Sequence, residues 1–272
     1  MNLTVMTTVR LTILCAFALV LNLLSCTEGK RTSAPELSNT IVNLQGDTMH
    51  MVEMVGRNYH YAIEADAEGI IQKKGKWERI APNTFSGNII LWVCDEIVEM
   101  DECGLIVKVV FDGKYFNTGV PRREDYFFSY EDGRIASVRS VTYDDGIETA
   151  SSVARFTWAH GNLVEIAREG TVTKYSYSKK KNPLKTFYTQ YAFPIIGRSV
   201  LWGEFGYFGL GAENLPIVER TYQGSGDEAE DESQLISTKR INVELDETGL
   251  CRTLTYKNEG EMAERVEYKY SE

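Results

Sequence analysis

Val98-Glu99-Met100-Asp101-Glu102-Cys103-Gly104-Leu105-Ile106 and Val243-Glu244-Leu245-Asp246-Glu247-Thr248-Gly249-Leu250-Cys251 share one pattern. It reads apolar, Glu, apolar, Asp, two variable residues, Gly, two apolar. Ile63-Glu64-Ala65-Asp66-Ala67-Glu68-Gly69-Ile70-Ile71 states it a third time. The chemistry is that of a turn. Asp at the first turn position accepts backbone N–H bonds, and Gly at the fourth tolerates positive φ. Alternating residues lead in and an apolar run leads out, so each copy predicts a β-hairpin. A shorter form recurs at Tyr130-Glu131-Asp132-Gly133-Arg134-Ile135, at Tyr143-Asp144-Asp145-Gly146-Ile147 and, as a variant, at Trp158-Ala159-His160-Gly161-Asn162-Leu163. Asp-Gly suits a two-residue hairpin turn. The spacing between copies is irregular, which predicts a meander of hairpins rather than a strict solenoid.

Aromatics stand two apart before many of these turns: Tyr59/Tyr61, Phe128/Tyr130, Phe156/Trp158, Tyr175/Tyr177 and Tyr268/Tyr270. Period two puts each pair on one face of a strand. That face is either the core or an exposed platform for sugars or peptides, and the core is the more economical reading. Clean helical spacing is absent over any long stretch. Only Asn39 to Val55 is ambiguous, with a short helix as one reading. The expected fold is all-β and mainly antiparallel: a long twisted hairpin meander sheet, rolled or partly barrel-like.

The first residues carry one charge, Arg10, and then the apolar run Leu11 to Leu24. That is the n-region and h-region of an export signal, too short to read as a membrane span. The run ends Leu23-Leu24-Ser25-Cys26, which resembles the bacterial lipobox, where the Cys receives a lipid. The alternative is an ordinary secretory signal with a chance Cys. The lipobox implies residues 1–25 as signal peptide, Cys26 as lipidation site and 26–40 as a flexible tether rich in Ser, Thr, Glu and Lys. Residues 41–272 form a single β-rich domain. Thr27 is not Asp, and by resemblance to Gram-negative lipoprotein sorting this points to the outer membrane, with the periplasmic or surface face left open.

The chain has 272 residues, formal net charge −10, three His and five Cys. The acidic balance argues against nucleic acid as partner, because phosphate binding needs a basic face. Cys15 leaves with the signal, so Cys94, Cys103 and Cys251 remain beside Cys26. An exported chain permits a disulfide. Cys94 and Cys103 pairing across a hairpin is one reading, and three buried thiols is the other. Spacing for zinc is absent, as are the hydrolase, metalloprotease, redox and phosphate-loop motifs. No cofactor and no metal are expected.

Thr189 to Val218 breaks the hairpin rhythm. It places Trp202, Tyr207 and Phe208 among Gly197, Gly203, Gly206, Gly209 and Gly211, with few charges. A long connection of this kind packs on something or binds something. It is either a cap over the sheet or a ligand or partner surface, and in the second case Trp202, Tyr207 and Phe208 are the residues to name. Gln223 to Gln234 holds Asp227, Glu228, Glu230, Asp231 and Glu232. That run is a solvated loop or a calcium site without EF-hand spacing.

The repeated aromatic-x-aromatic, turn, Gly-x-apolar units resemble YD-type repeats. Together with the lipobox and Phe205-Gly206-Tyr207-Phe208-Gly209-Leu210-Gly211-Ala212-Glu213-Asn214-Leu215-Pro216, they resemble a family of gut Bacteroidetes lipoproteins whose shared region is a domain of unknown function. The resemblance spans Ile90 to the C-terminus. It implies a membrane-anchored β-rich protein without established catalytic residues. The expected function is a non-enzymatic binding or interaction module with a glycan or protein partner. The alternatives are a glycan-active hydrolase using paired carboxylates and a carrier of a lipid or small hydrophobic ligand.

Overall fold

The computed structural model describes residues 40–56, 59–62, 64–65, 71–73, 92–115, 118–186, 206–224 and 234–271. The first strands are β1 (Thr40–Val42), β2 (Thr48–Gly56), β3 (Tyr59–Ala62), β4 (Glu64–Ala65) and β5 (Ile71–Lys73). Next come β6 (Trp92–Met100), β7 (Ile106–Tyr115), β8 (Pro121–Glu131), β9 (Arg134–Asp144), β10 (Ile147–Ala159), β11 (Asn162–Arg168) and β12 (Thr171–Lys181). The last four are β13 (Asn214–Gln223), β14 (Leu235–Leu245), β15 (Cys251–Asn258) and β16 (Glu264–Ser271).

The main sheet has fourteen strands. From β6 to β16 each strand pairs with the next, all antiparallel, and β2 then pairs with β16. The N-terminal and C-terminal strands therefore lie side by side. β1 and β3 share the far side of β2. Among the described residues the sheet does not close into a barrel: β6 is one edge, and β1 and β3 form the other. β4 and β5 pair with each other. The expected all-β hairpin meander is the observed fold.

The repeated turn does what its chemistry predicts. Asp101 Oδ1 accepts the N–H groups of Cys103 at 2.9 Å and Leu105 at 2.8 Å. Asp246 Oδ1 accepts those of Thr248 at 2.9 Å and Leu250 at 3.1 Å. Gly104 and Gly249 take φ of 80° and 84°. Asp66 to Ile70 lies outside the described residues. A copy that the pattern search missed sits at Asn43. Its Oδ1 accepts from Gln45 at 3.0 Å and Asp47 at 2.9 Å, and Gly46 has φ 90°. The segment once open to a helix, Asn39 to Val55, is therefore β1, this turn and most of β2. Asn replaces Asp in the motif because either side-chain oxygen can accept the two N–H bonds. The three short turns put both central residues at positive φ: Asp132 and Gly133 at 50° and 70°, Asp145 and Gly146 at 51° and 76°, His160 and Gly161 at 50° and 74°. That is the type I′ geometry whose twist matches a hairpin.

The aromatic pairs are divided in labour. Phe128, Phe156, Tyr175 and Tyr268 are buried in the core on one face of the sheet, here called the inner face. In these four pairs the second member lies where the neighbouring strand's ladder stops; the side chains of Tyr59 and Tyr61 lie outside the described residues. The β7–β8 ladder ends at Lys108 with Phe127, and the hydroxyl of Tyr130 donates to the Ile106 carbonyl at 2.6 Å. Trp158 Nε1 donates to the Ile135 carbonyl at 2.8 Å, the Tyr177 hydroxyl to Leu163 at 2.7 Å, and the Tyr270 hydroxyl to Cys251 at 3.0 Å. β8, β10, β12 and β16 each outrun the strand before them, and the aromatic tip of each satisfies a carbonyl there.

These tips lie at the end of the sheet where the Asp-x-x-Gly turns and two of the three type I′ turns sit. Residues 206–213 cross that end as a strap. The Ile106 N–H donates to the Tyr207 carbonyl at 2.9 Å, Leu210 N–H to Gly133 at 2.9 Å, and Glu213 N–H to Gly161 at 2.9 Å. Phe208 is fully buried and stacks on Phe128 with ring centres 4.9 Å apart. Buried Asn182 ties the strap's C-terminal end by donating to the Thr186 and Ala212 carbonyls at 3.0 and 2.9 Å. The irregular segment was expected to run to Val218, but β13 begins at Asn214 and pairs with β12.

Two outcomes test this account. A Cβ at Gly209 would overlap the Gly133 carbonyl, whereas at Gly146 it would meet open space. Gly209→Ala should therefore cost about 3 kcal/mol and Gly146→Ala about 1 kcal/mol, read as shifts in urea midpoint. Tyr177→Phe, which leaves the Leu163 carbonyl without that donor, should cost about 1–2 kcal/mol in the same assay.

Candidate functional site

Opposite the strapped end, β7, β8 and β9 carry an ordered set of charges. Pro121-Arg122-Arg123-Glu124-Asp125 opens β8. Alternation sends Arg122 and Glu124 to the inner face and Arg123 and Asp125 to the outer one. Each base thus stands two residues from an acid on its own face. On the inner face Arg122 donates to Glu124 at 2.8 Å and to Asp144 at 3.1 Å, and it also bonds the Tyr115 hydroxyl. Tyr126 adds its hydroxyl to Glu124 at 3.0 Å. Burial alone would make the Arg122 guanidinium less basic, but Glu124, Tyr115 and Asp144 outweigh it and raise its pKa.

On the outer face Arg123 grips Asp125 in a two-pronged pair, Nε to Oδ1 at 2.6 Å and Nη2 to Oδ2 at 2.8 Å. The hydrogen bond to Asp125 is the main reason its pKa is raised. Asp125 is buried between its cross-strand neighbours Val110 and Val141. The next row sets Asp112, Arg123 and Tyr143 side by side. A row further from the strand start, Arg139 covers the Phe127 ring at 4.3 Å. A cleft of about 410 Å³ opens here, lined by Asp112, Pro121, Arg122, Arg123, Asp125, Tyr143 and Gly146. Its walls are strands β7 to β9 and the turn at Gly146, and ion pairs hold Arg122, Arg123 and Asp125 in place.

A second inner-face ion pair lies deeper. Lys239 donates to Glu219 at 2.8 Å, and its ammonium stands 5.6 Å from the centre of the Tyr256 ring. Tyr175 faces Glu219 across β12 and β13. Burial first, and Glu219 second, push its hydroxyl well above the ordinary 10.0.

The residues singled out from sequence are placed differently. Tyr207 is half-buried against the core and Phe208 is wholly inside it. Phe208 is therefore part of the cap and not a ligand surface: stacking on Phe128 takes its ring out of solvent. Trp202 lies outside the described residues, as does Cys26. Cys103 is disulfide-bonded, and Cys251 is buried in the core. The register sets Cys94 opposite Gly113, six residues along β6 from Met100 at the turn. Six extended residues span about 20 Å, and a disulfide needs Cα atoms within about 7 Å. The β6–β7 hairpin therefore does not bring Cys94 to Cys103. The acids from Asp227 to Glu232 lie outside the described residues. Among the described residues no cluster of His, Cys, Asp and Glu is arranged to hold a metal ion. An apolar hollow lined by Ile41, Met51, Leu184, Leu250 and Tyr268 measures about 10 Å³, room for about one water and not for a lipid.

Sequence reading missed Arg122, Arg123, Asp125, Asp112 and Tyr143. Their signal was present as two bases followed by two acids at strand period, in a chain whose many charges hide it.

No family model matches the chain. No curated protein matches it either. Among solved structures, a porin-like protein from Bacteroides uniformis ATCC 8492 has the same overall fold, with TM-score 0.50 and 11% identity, over 88% of this chain and 100% of that one. The chain is thus an all-β protein, an antiparallel sheet that shares its overall fold with that neighbour. Among the described residues no helix is long and apolar enough to cross a membrane.

Arg123→Ala leaves the Asp125 carboxylate buried without its partner. It should cost about 2–3 kcal/mol, and Arg123→Ala with Asp125→Asn should recover part of that loss, read from urea midpoints of the three proteins.

Proposed function

We propose that this protein is a lipid-anchored, non-enzymatic binding module of the bacterial cell envelope. The observation that carries the binding reading is the cleft beside β8, a concave site on strands β7 to β9, lined by fixed ion pairs and set at the end away from the strap. Residues 206–213 of the aromatic and glycine-rich segment cap the other end, in line with the cap reading of the sequence. The anchoring part of the proposal rests on Leu23-Leu24-Ser25-Cys26 after an apolar run. Acyl chains on one Cys hold a protein at a bilayer because each buried CH₂ contributes about 0.8 kcal/mol. The likeness in fold to a Bacteroides protein supports an outer-membrane setting.

Both parts are testable. Cells fed an alkyne fatty acid should label the wild-type chain, and Cys26→Ser should lose the label and leave the membrane fraction; a variant that keeps both removes the anchor from the proposal. Purified protein incubated with polysaccharides and peptides should retain a ligand without releasing shorter products. Steady product release would make it an enzyme.

A further inference from the structure

We infer that the cleft beside β8 takes a neutral, polyhydroxylated ligand, a segment of glycan about two rings long; this rests on the binding-module reading and names its ligand class. On the outer face the lining sets Arg123 between Asp112 and Asp125, while Arg122 is held by Glu124 and Asp144. The guanidinium of Arg123 is already committed in a planar fork to buried Asp125. An anion that takes the whole Arg123 fork must displace Asp125 and leave that buried carboxylate unpaired, and a cation drawn to Asp112 stands beside the Arg123 guanidinium in the same row. Hydroxyl groups need break nothing, because they both donate and accept.

The groups left over suit such a ligand. Among the described residues, the Asp112 carboxylate, the Tyr143 hydroxyl and Nη1 of Arg123 enter no hydrogen bond or ion pair. They are an acceptor, a group of both kinds and a donor, in one cross-strand row. Neighbours in such a row stand about 5 Å apart at Cβ, so three span about 10 Å. The Tyr143 ring offers an apolar face for the C–H side of a sugar. A volume near 410 Å³ lies within the ordinary range of small-ligand sites. The rigid strands hold these groups before binding, which lowers the entropy lost when a ligand docks.

The experiment uses the full-length lipoprotein in detergent and affinity gel electrophoresis. The probes are neutral polysaccharides (dextran, mannan, galactan and xylan), their periodate-oxidised forms, and acidic polygalacturonate and heparin. At least one neutral polysaccharide should retard the protein, and its oxidised form, with vicinal hydroxyls destroyed, should not. Asp112→Asn and Tyr143→Ala leave the Arg123–Asp125 hydrogen bonds in place, and a thermal midpoint measured beside each separates lost binding from lost folding. Each should weaken retardation at least about 10-fold. No retardation by any neutral polysaccharide, retardation by the acidic ones alone, or equal retardation of both variants overturns the ligand class. A peptide retained at the cleft and lost in both variants would overturn it too, yet leave the binding-module reading in place. Cleavage of a retained neutral polysaccharide would do the reverse.

Discussion

The fold depends on how its strand-end carbonyls are satisfied. A meander of unequal strands leaves backbone oxygens beyond the last rung of each ladder, and a buried oxygen without a donor destabilises the fold by about 1–3 kcal/mol. Tyr130, Trp158, Tyr177 and Tyr270 each supply the missing donor to the strand before. The partner aromatic two residues earlier fills the core beneath. One short motif thus sets both the packing of the inner face and the end of the ladder. Because the same motif recurs hairpin after hairpin, the tips lie at one end of the sheet, and that end becomes the place to be covered.

The strap follows from this. Turn residues at the covered end present carbonyls at Gly133 and Gly161 and an N–H at Ile106, and the segment from Tyr207 to Glu213 bonds all three. Such close approach of two backbones excludes a side chain, which is why Gly209 and Gly211 stand where they do: a Cβ at either would collide with a carbonyl. Phe208 then enters the core as the strap's only fully buried aromatic among the described residues. The opposite end has no such cover among the described residues, and there the strands carry charge in place of apolar tips. Arg122 and Arg123, consecutive on β8, organise both faces at once, since alternation gives each its own set of acids.

Hairpins were legible because a turn is a local event. Asp101, Asp246, Asp132-Gly133 and Asp145-Gly146 each decide their backbone within five residues, and the structure forms a turn at each. The Asn43 turn was less legible because Asn stands there in place of the Asp of the other copies, and only the shared side-chain oxygen links them. The aromatic pairs were legible as one face of a strand. Their hydrogen bonds were not, since Tyr177 and Leu163 meet only once register is known. Whether Phe208 caps the sheet or faces a ligand stayed open in the sequence for the same reason. A glycine-rich aromatic stretch reads alike whether it stands in solvent or plugs a core.

The sequence by itself determined the class of the fold and the position of most turns, because period-two patterning and turn chemistry act between near neighbours. Tertiary structure alone decided that β2 joins β16, that residues 206–213 close one end, and that Asp112, Arg123 and Tyr143 form a row. Those arrangements depend on register between strands distant or adjacent in the chain. A shift of one residue would send every side chain of a strand to the opposite face. The cleft exists because three strands agree in register.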